Sequence, residues 1–249
     1  MNRAPFIRDL FVPSGRTPRS HRRRRSLAAA AAFALLSAAP AAAADFAVGL
    51  RAGTAGYGPE LSVGLSRQVV TRLAGGFLGY DTTYDETGVR YDGELELRNA
   101  LLTLDWHPGG GGFRVSVGGA WNDNQLVVTA PLRELVREER PEILPLLPAG
   151  DLGRAHGTAA GDSFAPYAGL GWGTPSGDGG WGFSFDVGAM YHGEPEVDLR
   201  ADLAPGLTLP PLGRQALDLL AAQEAAELEA ELADYRYLPV LALGLTYRF

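Results

Sequence analysis

Apolar side chains recur at every second position through most of the chain beyond residue 45. The last run is the clearest. Tyr237, Pro239, Leu241, Leu243, Leu245, Tyr247 and Phe249 alternate with Leu238, Val240, Ala242, Gly244, Thr246 and Arg248, a set that grows smaller and more polar toward the end. Trp181, Phe183, Phe185, Val187, Ala189 and Tyr191 alternate in the same way with Gly182, Ser184, Asp186, Gly188, Met190 and His192. A strand turns successive side chains to opposite faces, so each run predicts a strand with one dry face and one different face. Eight strands follow, over about 45–54, 59–67, 71–84, 91–107, 113–124, 164–173, 180–194 and 236–249. Two of them are less regular. In 71–84 both faces mix glycine with aromatics. In 91–107 the apolar phase changes between Leu95–Leu97 and Leu102–Leu104–Trp106, as a β-bulge near Arg98–Asn99 would produce.

The connections differ in length. Those near 67–71, 108–112 and 174–179 are short and rich in turn residues, whereas 124–163 and 194–236 are very long. Short turns at one end and long loops at the other predict an all-β fold: an eight-stranded antiparallel up-and-down transmembrane β-barrel with helical extracellular loops. Within the long loops, Gly213–Asp234 reads as a helix with Leu217, Leu220, Ala221, Leu228 and Leu232 in a broken stripe. Pro131–Arg140 reads as a shorter helix with Leu132, Leu135 and Val136 on one side. These helices are expected to cap the mouth or pack on each other; the alternative is an adhesive or partner-binding surface.

The aromatics place the barrel. Phe46, Trp106, Phe113, Trp172, Trp181 and Phe249 all flank the termini or the short turns, while Trp121, Tyr191 and Tyr237 lie near the other rim. Two belts separated by about ten residues of tilted strand match the two interfaces of a bilayer. The second face carries Arg51, Glu60, Arg114, Asp186 and Arg248 among small residues, which suits a tight polar interior better than the greasy cavity of a soluble barrel. The three arginines are expected to pair there with Glu60, Glu94, Glu96, Asp105 and Asp186. Eight strands leave room for little besides side chains, so a satisfied polar core is the first reading and a channel selectivity ring the second.

Net charge divides the chain. Residues 1–44 hold eight arginines against Asp9 alone, followed by the apolar stretch Ser26–Ala39 and Ala41–Ala44. That order is the pattern of a cleaved secretory signal, so a signal peptide over 1–44 and a barrel domain over 45–249 are expected. The remainder is strongly acidic, and 194–236 carries half of its net charge. Lysine and cysteine are both absent. Their absence excludes Schiff-base chemistry, a phosphate-loop lysine, thiolate metal sites and disulfides, and an acidic chain without lysine is a poor nucleic-acid binder. No calcium-loop spacing occurs, and no cofactor or metal is expected.

With the leader, the alternating strands and the ending Leu243-Gly-Leu-Thr-Tyr-Arg-Phe249 in view, the chain resembles small Gram-negative outer-membrane proteins. Asp105-Trp106-His107-Pro108 entering a turn and the final Tyr-Arg-Phe are similar to OmpW/OmpA-like barrels. The resemblance implies location in the outer membrane. It also implies that Leu243, Leu245, Tyr247 and Phe249 form the signal read by the barrel assembly machinery. Implied partners are that machinery, periplasmic chaperones, outer-membrane lipids and lipopolysaccharide.

Catalytic patterns are sparse. His192 shares a strand face with Ser184 and Asp186, with Glu194 two residues on, but Ser184 is far from His192 and the His-x-Ser arrangement of lipid A deacylases is missing. The expectation is a non-enzymatic barrel with a structural or surface-interaction role. A narrow OmpW-like channel for small or hydrophobic solutes is the alternative, and a lipid A-modifying enzyme the third reading.

Overall fold

The computed structural model describes residues 46–249 apart from 87, 140 and 175–178, so the expected leader over 1–44 lies outside the described residues. In chain order the elements are β1 (Phe46–Gly53), β2 (Gly56–Ser66), β3 (Val69–Glu86), β4 (Val89–Trp106), β5 (Phe113–Asn122), β6 (Gln125–Pro131), α1 (Leu132–Glu139), β7 (Gly153–Ala160), β8 (Phe164–Gly173), β9 (Gly180–Tyr191), β10 (Glu196–Leu203), α2 (Pro211–Leu232) and β11 (Tyr237–Arg248). Eight strands close a ring in the order β1–β2–β3–β4–β5–β8–β9–β11, with β11 returning to β1 and every pairing antiparallel. Both ends of the described chain, the connections near 67 and 107–112, the end of β8 and the start of β9 lie at one end of this ring, here the terminal end. The long connections leave from the other, the loop end.

Closure leaves two faces. On β11, Leu241, Leu243 and Leu245 point outward and are exposed, while Val240 and Ala242 are buried inside. On β9, Phe183, Phe185 and Val187 point outward, against buried Ser184, Asp186 and Met190. Backbones come close where side chains are small. At the β1–β2 turn, Gly56 has φ +98, and a side chain there would press on the backbone of Phe77; only glycine accepts that conformation without cost.

The bulge expected near Arg98–Asn99 is not there. The β3–β4 register runs unbroken from Val69↔Trp106 to Glu86↔Val89. What changes is the chemistry of the two faces. Toward the terminal end, β4 turns Ala100, Leu102, Leu104 and Trp106 outward and Asn99, Leu101, Thr103 and Asp105 inward. Toward the loop end it turns Asp92, Glu94, Glu96 and Arg98 outward and Val89, Tyr91, Leu95 and Leu97 inward. One straight strand thus passes from apolar-outside to polar-outside between Ala100 and Arg98. The apolar and polar residues exchange faces along one continuous strand, so the change of phase needs no inserted residue.

Strand β4 is long because it takes two successive partners along one edge, and β3 pairs with it over the whole length. The terminal half of β4, Asn99–Trp106, pairs with β5, whereas Asp92–Glu96 pairs with β6, and β6 continues to β7 and β10. The 124–163 and 194–236 segments, expected as loops with helices, therefore also build three strands that extend the ring into a wall on one side. The two helices lie close to the expected bounds. Helix α2 opens with proline at its first turn, is rich in Ala, Leu and Glu, and packs chiefly against β10. There the Val197 N–H donates to the Glu229 carboxylate at 2.9 Å. A helix in that place shields the edge strand, whose open backbone groups would otherwise recruit another strand. Leu232 is buried and Leu219 exposed, so the stripe is one-sided as expected where it is described; the side chains of Leu217 and Leu220 lie outside the described residues.

Candidate functional site

The interior of the ring holds its chemistry. Reading strand by strand from β1 to β5, the inward residues at one level are Arg51, Glu60, Arg72, Asp105 and Arg114, alternating in sign, and β9 adds Asp186. Strands β8 and β11 contribute glycines. Gly171 stands opposite both Arg114 and Asp186, and Gly244 opposite Arg51. A Cβ on Gly171 would lie 2.6 Å from the Arg114 Nε and 2.7 Å from an Asp186 oxygen, so the bare strand is what lets the two meet. All six charged side chains are buried, Asp186 with 1% exposure.

Asp186 is the anchor. Its carboxylate accepts from Arg72 Nη1 at 2.8 Å and from Arg114 Nη2 at 2.7 Å, with Arg51 Nη2 at 3.7 Å. Arg72 also reaches Asp105 through Nε at 2.9 Å and stands 3.6 Å from Glu60. Arg51 faces Glu60 at 3.8 Å, and Arg114 faces Asp105 at 3.7 Å. Three guanidiniums against three carboxylates leave no formal charge in this ring of residues. Buried ions require such pairing, because an uncompensated charge in a low-dielectric interior costs several kcal/mol (about 3–5 when one partner is removed).

The structure brings together Arg51, Glu60, Arg114 and Asp186 of the expected polar interior, and adds two residues. Asp105, expected only as a pairing partner, is a full member. Arg72, the arginine with most ionic contacts, is absent from the expected set because its strand shows no clean alternation. Its inward phase of Val70, Arg72, Ala74 and Gly76 is the available signal. Arg248 lies nearer the terminal end, where it lines a vestibule with Ser62, His107, Thr174 and Thr246. Glu94 and Glu96 do not join the ring: both lie on the outward face of the wall, where Glu96 accepts from Arg98 and from Gln125, each at 2.9 Å.

On the loop side of the charges the interior becomes apolar. Leu101, Ala120, Ala165, Tyr167, Met190 and Val240 form one packed cluster across the lumen. Beyond it, Asn99 donates to the Ala55 carbonyl at 2.9 Å and Asn122 to the Asp162 carbonyl at 3.0 Å. On the terminal side the vestibule, about 60 Å³ in all, reaches Glu60, Arg72, Asp105 and Arg114.

The outer face carries two girdles. At the terminal end, Phe46 stacks on Phe249 at 4.9 Å, Phe113 meets Trp172 at 5.1 Å and Trp181 meets Tyr247 at 5.4 Å, with Trp106 exposed nearby. At the loop end, Tyr191 and Tyr237 touch at 5.2 Å, and Tyr57, Phe77, Trp121 and Phe164 are exposed at neighbouring register positions. The paired strands hold the girdles eight to ten residues apart, from Phe113 to Trp121 and from Tyr237 to Tyr247. At about 3.4 Å per residue and a tilt of about 40°, that is roughly 20–26 Å.

The histidines have separate settings. His192 lies beyond the loop end of β9, where its backbone N–H donates to the Arg236 carbonyl and its carbonyl accepts from Asp162. Burial holds its pKa below the ordinary histidine value, opposed by a hydrogen bond from the imidazole to its own backbone and by the charge of Asp162. Ser184 lies eight residues away on the same strand, about 27 Å along it, and Glu194 is taken up by Arg236 at 2.8 Å. His107 holds a turn through Nδ1, 3.1 Å from the Gly111 carbonyl. His156 lies on the wall between Thr129 and Asp202.

No family model matches the chain, and no curated protein sequence matches it. Solved structures do. CarO2 of Acinetobacter baumannii is 22% identical and covers 82% of this chain and 98% of its own, with a TM-score of 0.52. CarO of the same organism is 23% identical over 82% and 97%, with a TM-score of 0.48. A major outer membrane protein from Thermus thermophilus is 16% identical over 84% and 100%, with a TM-score of 0.42. The likeness to CarO2 is one of fold. The chain is a mostly-β protein whose antiparallel ring of eight strands is similar to outer-membrane barrels.

Proposed function

We propose that this chain is a closed, non-enzymatic transmembrane β-barrel of the Gram-negative outer membrane, which carries a strand-built wall outside the cell for a structural or partner-binding role. The observation that carries this reading is the outer face. Between two aromatic girdles it is apolar, and beyond the loop-end girdle it turns charged along the same strands. A separation of roughly 20–26 Å suits the apolar band of about 25 Å in barrels of this kind. The terminal end then lies in the periplasm, and Leu243, Leu245, Tyr247 and Phe249 form an outward-facing row at the last strand for the assembly machinery to read. The branch is OmpW/OmpA-like in pattern.

The lumen supports closure, because charged and apolar side chains fill it in successive layers. A narrow channel for small or hydrophobic solutes is the second reading, favoured by the vestibule lined with hydroxyls and arginine. An enzyme acting on lipid A would need Ser184 and His192 to converge, and they lie at opposite ends of β9.

The direct test is fractionation of a Gram-negative host making the full chain, together with gel mobility before and after boiling. Recovery in the outer membrane, with a faster-migrating unboiled form, is expected. Recovery as a dissolved periplasmic protein whose mobility boiling leaves unchanged would overturn the reading.

A further inference from the structure

The lumen has a polar floor and an apolar ceiling, and the two do different things. The charged residues are paired, but their hydrogen bonds are incomplete. The Arg51 terminal nitrogens lie 3.7–3.8 Å from their carboxylates, beyond hydrogen-bond reach, and Glu60 Oε2 and Arg114 Nε are in the same position. Ser116 and Ser184 are buried at this level with hydroxyls that meet no hydrogen-bond partner among the described residues. Buried polar groups of this kind are completed by water when the site is polar and has room for it. The vestibule supplies both: it borders Glu60, Arg114 and Ser184, and about 60 Å³ accommodates roughly two water molecules at about 30 Å³ each.

The layer above offers water far less. Leu101, Ala120, Ala165, Met190 and Val240 present only hydrocarbon and thioether, and Tyr167 packs among them with a single hydroxyl, which lies beside Gly169 and Gly188 and has no hydrogen bond among the described residues. A narrow apolar constriction excludes water and hence ions, because neither finds hydrogen-bond partners there.

From this division we infer that the barrier to permeation is the apolar septum at Leu101, Ala120, Ala165, Tyr167, Met190 and Val240. The charged layer beneath it is a hydrated site, open from the terminal side to water and small inorganic ions. The inference rests on the reading of the chain as a membrane barrel, and it assigns the seal to residues that carry no charge. Removing a charge pair leaves the seal in place, while polar substitution in the septum joins the vestibule to the loop side.

Three full-chain proteins in planar lipid bilayers test it with potassium chloride as the probe: the unaltered chain, Met190→Ser with Val240→Ser, and Arg114→Gln with Asp105→Asn. Boiling-sensitive gel mobility after insertion in liposomes shows that each has folded, and an unaltered chain that does not insert would count against the membrane reading itself. Among folded proteins, steady current at least tenfold above the unaltered chain is expected for the septum variant alone. Current through the charge variant with a silent septum variant, or silence from both, would overturn the inference. Silver ion gives a second readout, since the natural chain has no cysteine. Silver added from the terminal side of the folded barrel should protect Ser184→Cys from maleimide labelling carried out after unfolding in denaturant, and leave Ala165→Cys to be labelled; equal protection of the two would contradict the proposed barrier.

Discussion

Asp186 shows how much one side chain can decide. It receives hydrogen bonds from two guanidiniums, Arg114 from two strands away in the ring and Arg72 from across the lumen, and it has almost no exposed surface. Asp186→Asn keeps the shape but leaves three arginines facing two carboxylates. A loss of about 3–5 kcal/mol is expected in urea unfolding from detergent micelles. Arg98→Gln, which breaks an exposed pair with Glu96, should change the same midpoint by less than about 1 kcal/mol. His192 gives a pH dependence of known sign. Its folded pKa lies below the unfolded one, so its contribution is complete above the ordinary histidine value of about 6.5 and declines as pH falls through the folded value. Replacing it with glutamine should flatten that part of the stability profile, and an unchanged slope between pH 7 and pH 5 would show that the imidazole contributes nothing there.

At the scale of elements, the eight ring strands were legible because most alternate and each ends in a turn or an aromatic. The wall strands were less so. Strand β6 begins with a run of unbroken apolar character and ends in proline, and β7 is built largely of Gly and Ala. Strand β10 alternates Val197, Leu199, Ala201 and Leu203 with charged residues, but it is short and sits inside a long acidic segment. The phase change in β4 was visible in the sequence and open to the wrong explanation. A bulge and a change of surroundings both swap apolar and polar faces, and only the unbroken pairing with β3 separates them. That boundary can be tested by depth. Leu102→Arg, on the outward face below it, should cost about 2–4 kcal/mol in lipid or block assembly, whereas Glu94→Arg, on the same face above it, should be tolerated. Equal effects, read as the yield of folded protein in liposomes, would remove the boundary. Arg72 was hidden for a related reason. Its strand mixes glycine and aromatics on both faces, so Arg72 carried no periodic context, and its role emerges only once the three strands that bear Glu60, Asp105 and Asp186 are placed around it.

For the whole molecule, the central claim is an inside-out distribution of polarity around a closed ring, with charges sealed within and leucines and aromatics turned to lipid. The absence of cysteine from the natural chain makes this measurable position by position. Single cysteines placed in turn along Leu238–Thr246 of β11, spin-labelled and reconstituted in liposomes, report collision with oxygen, which partitions into lipid, and with a water-soluble nickel chelate. A lipid-facing wall around a filled lumen predicts oxygen accessibility that alternates with period two, highest at Leu241, Leu243 and Leu245, with low accessibility to both reagents at Val240 and Ala242. Nickel accessibility equal to that of oxygen along the leucine face, or no alternation along the strand, would contradict it.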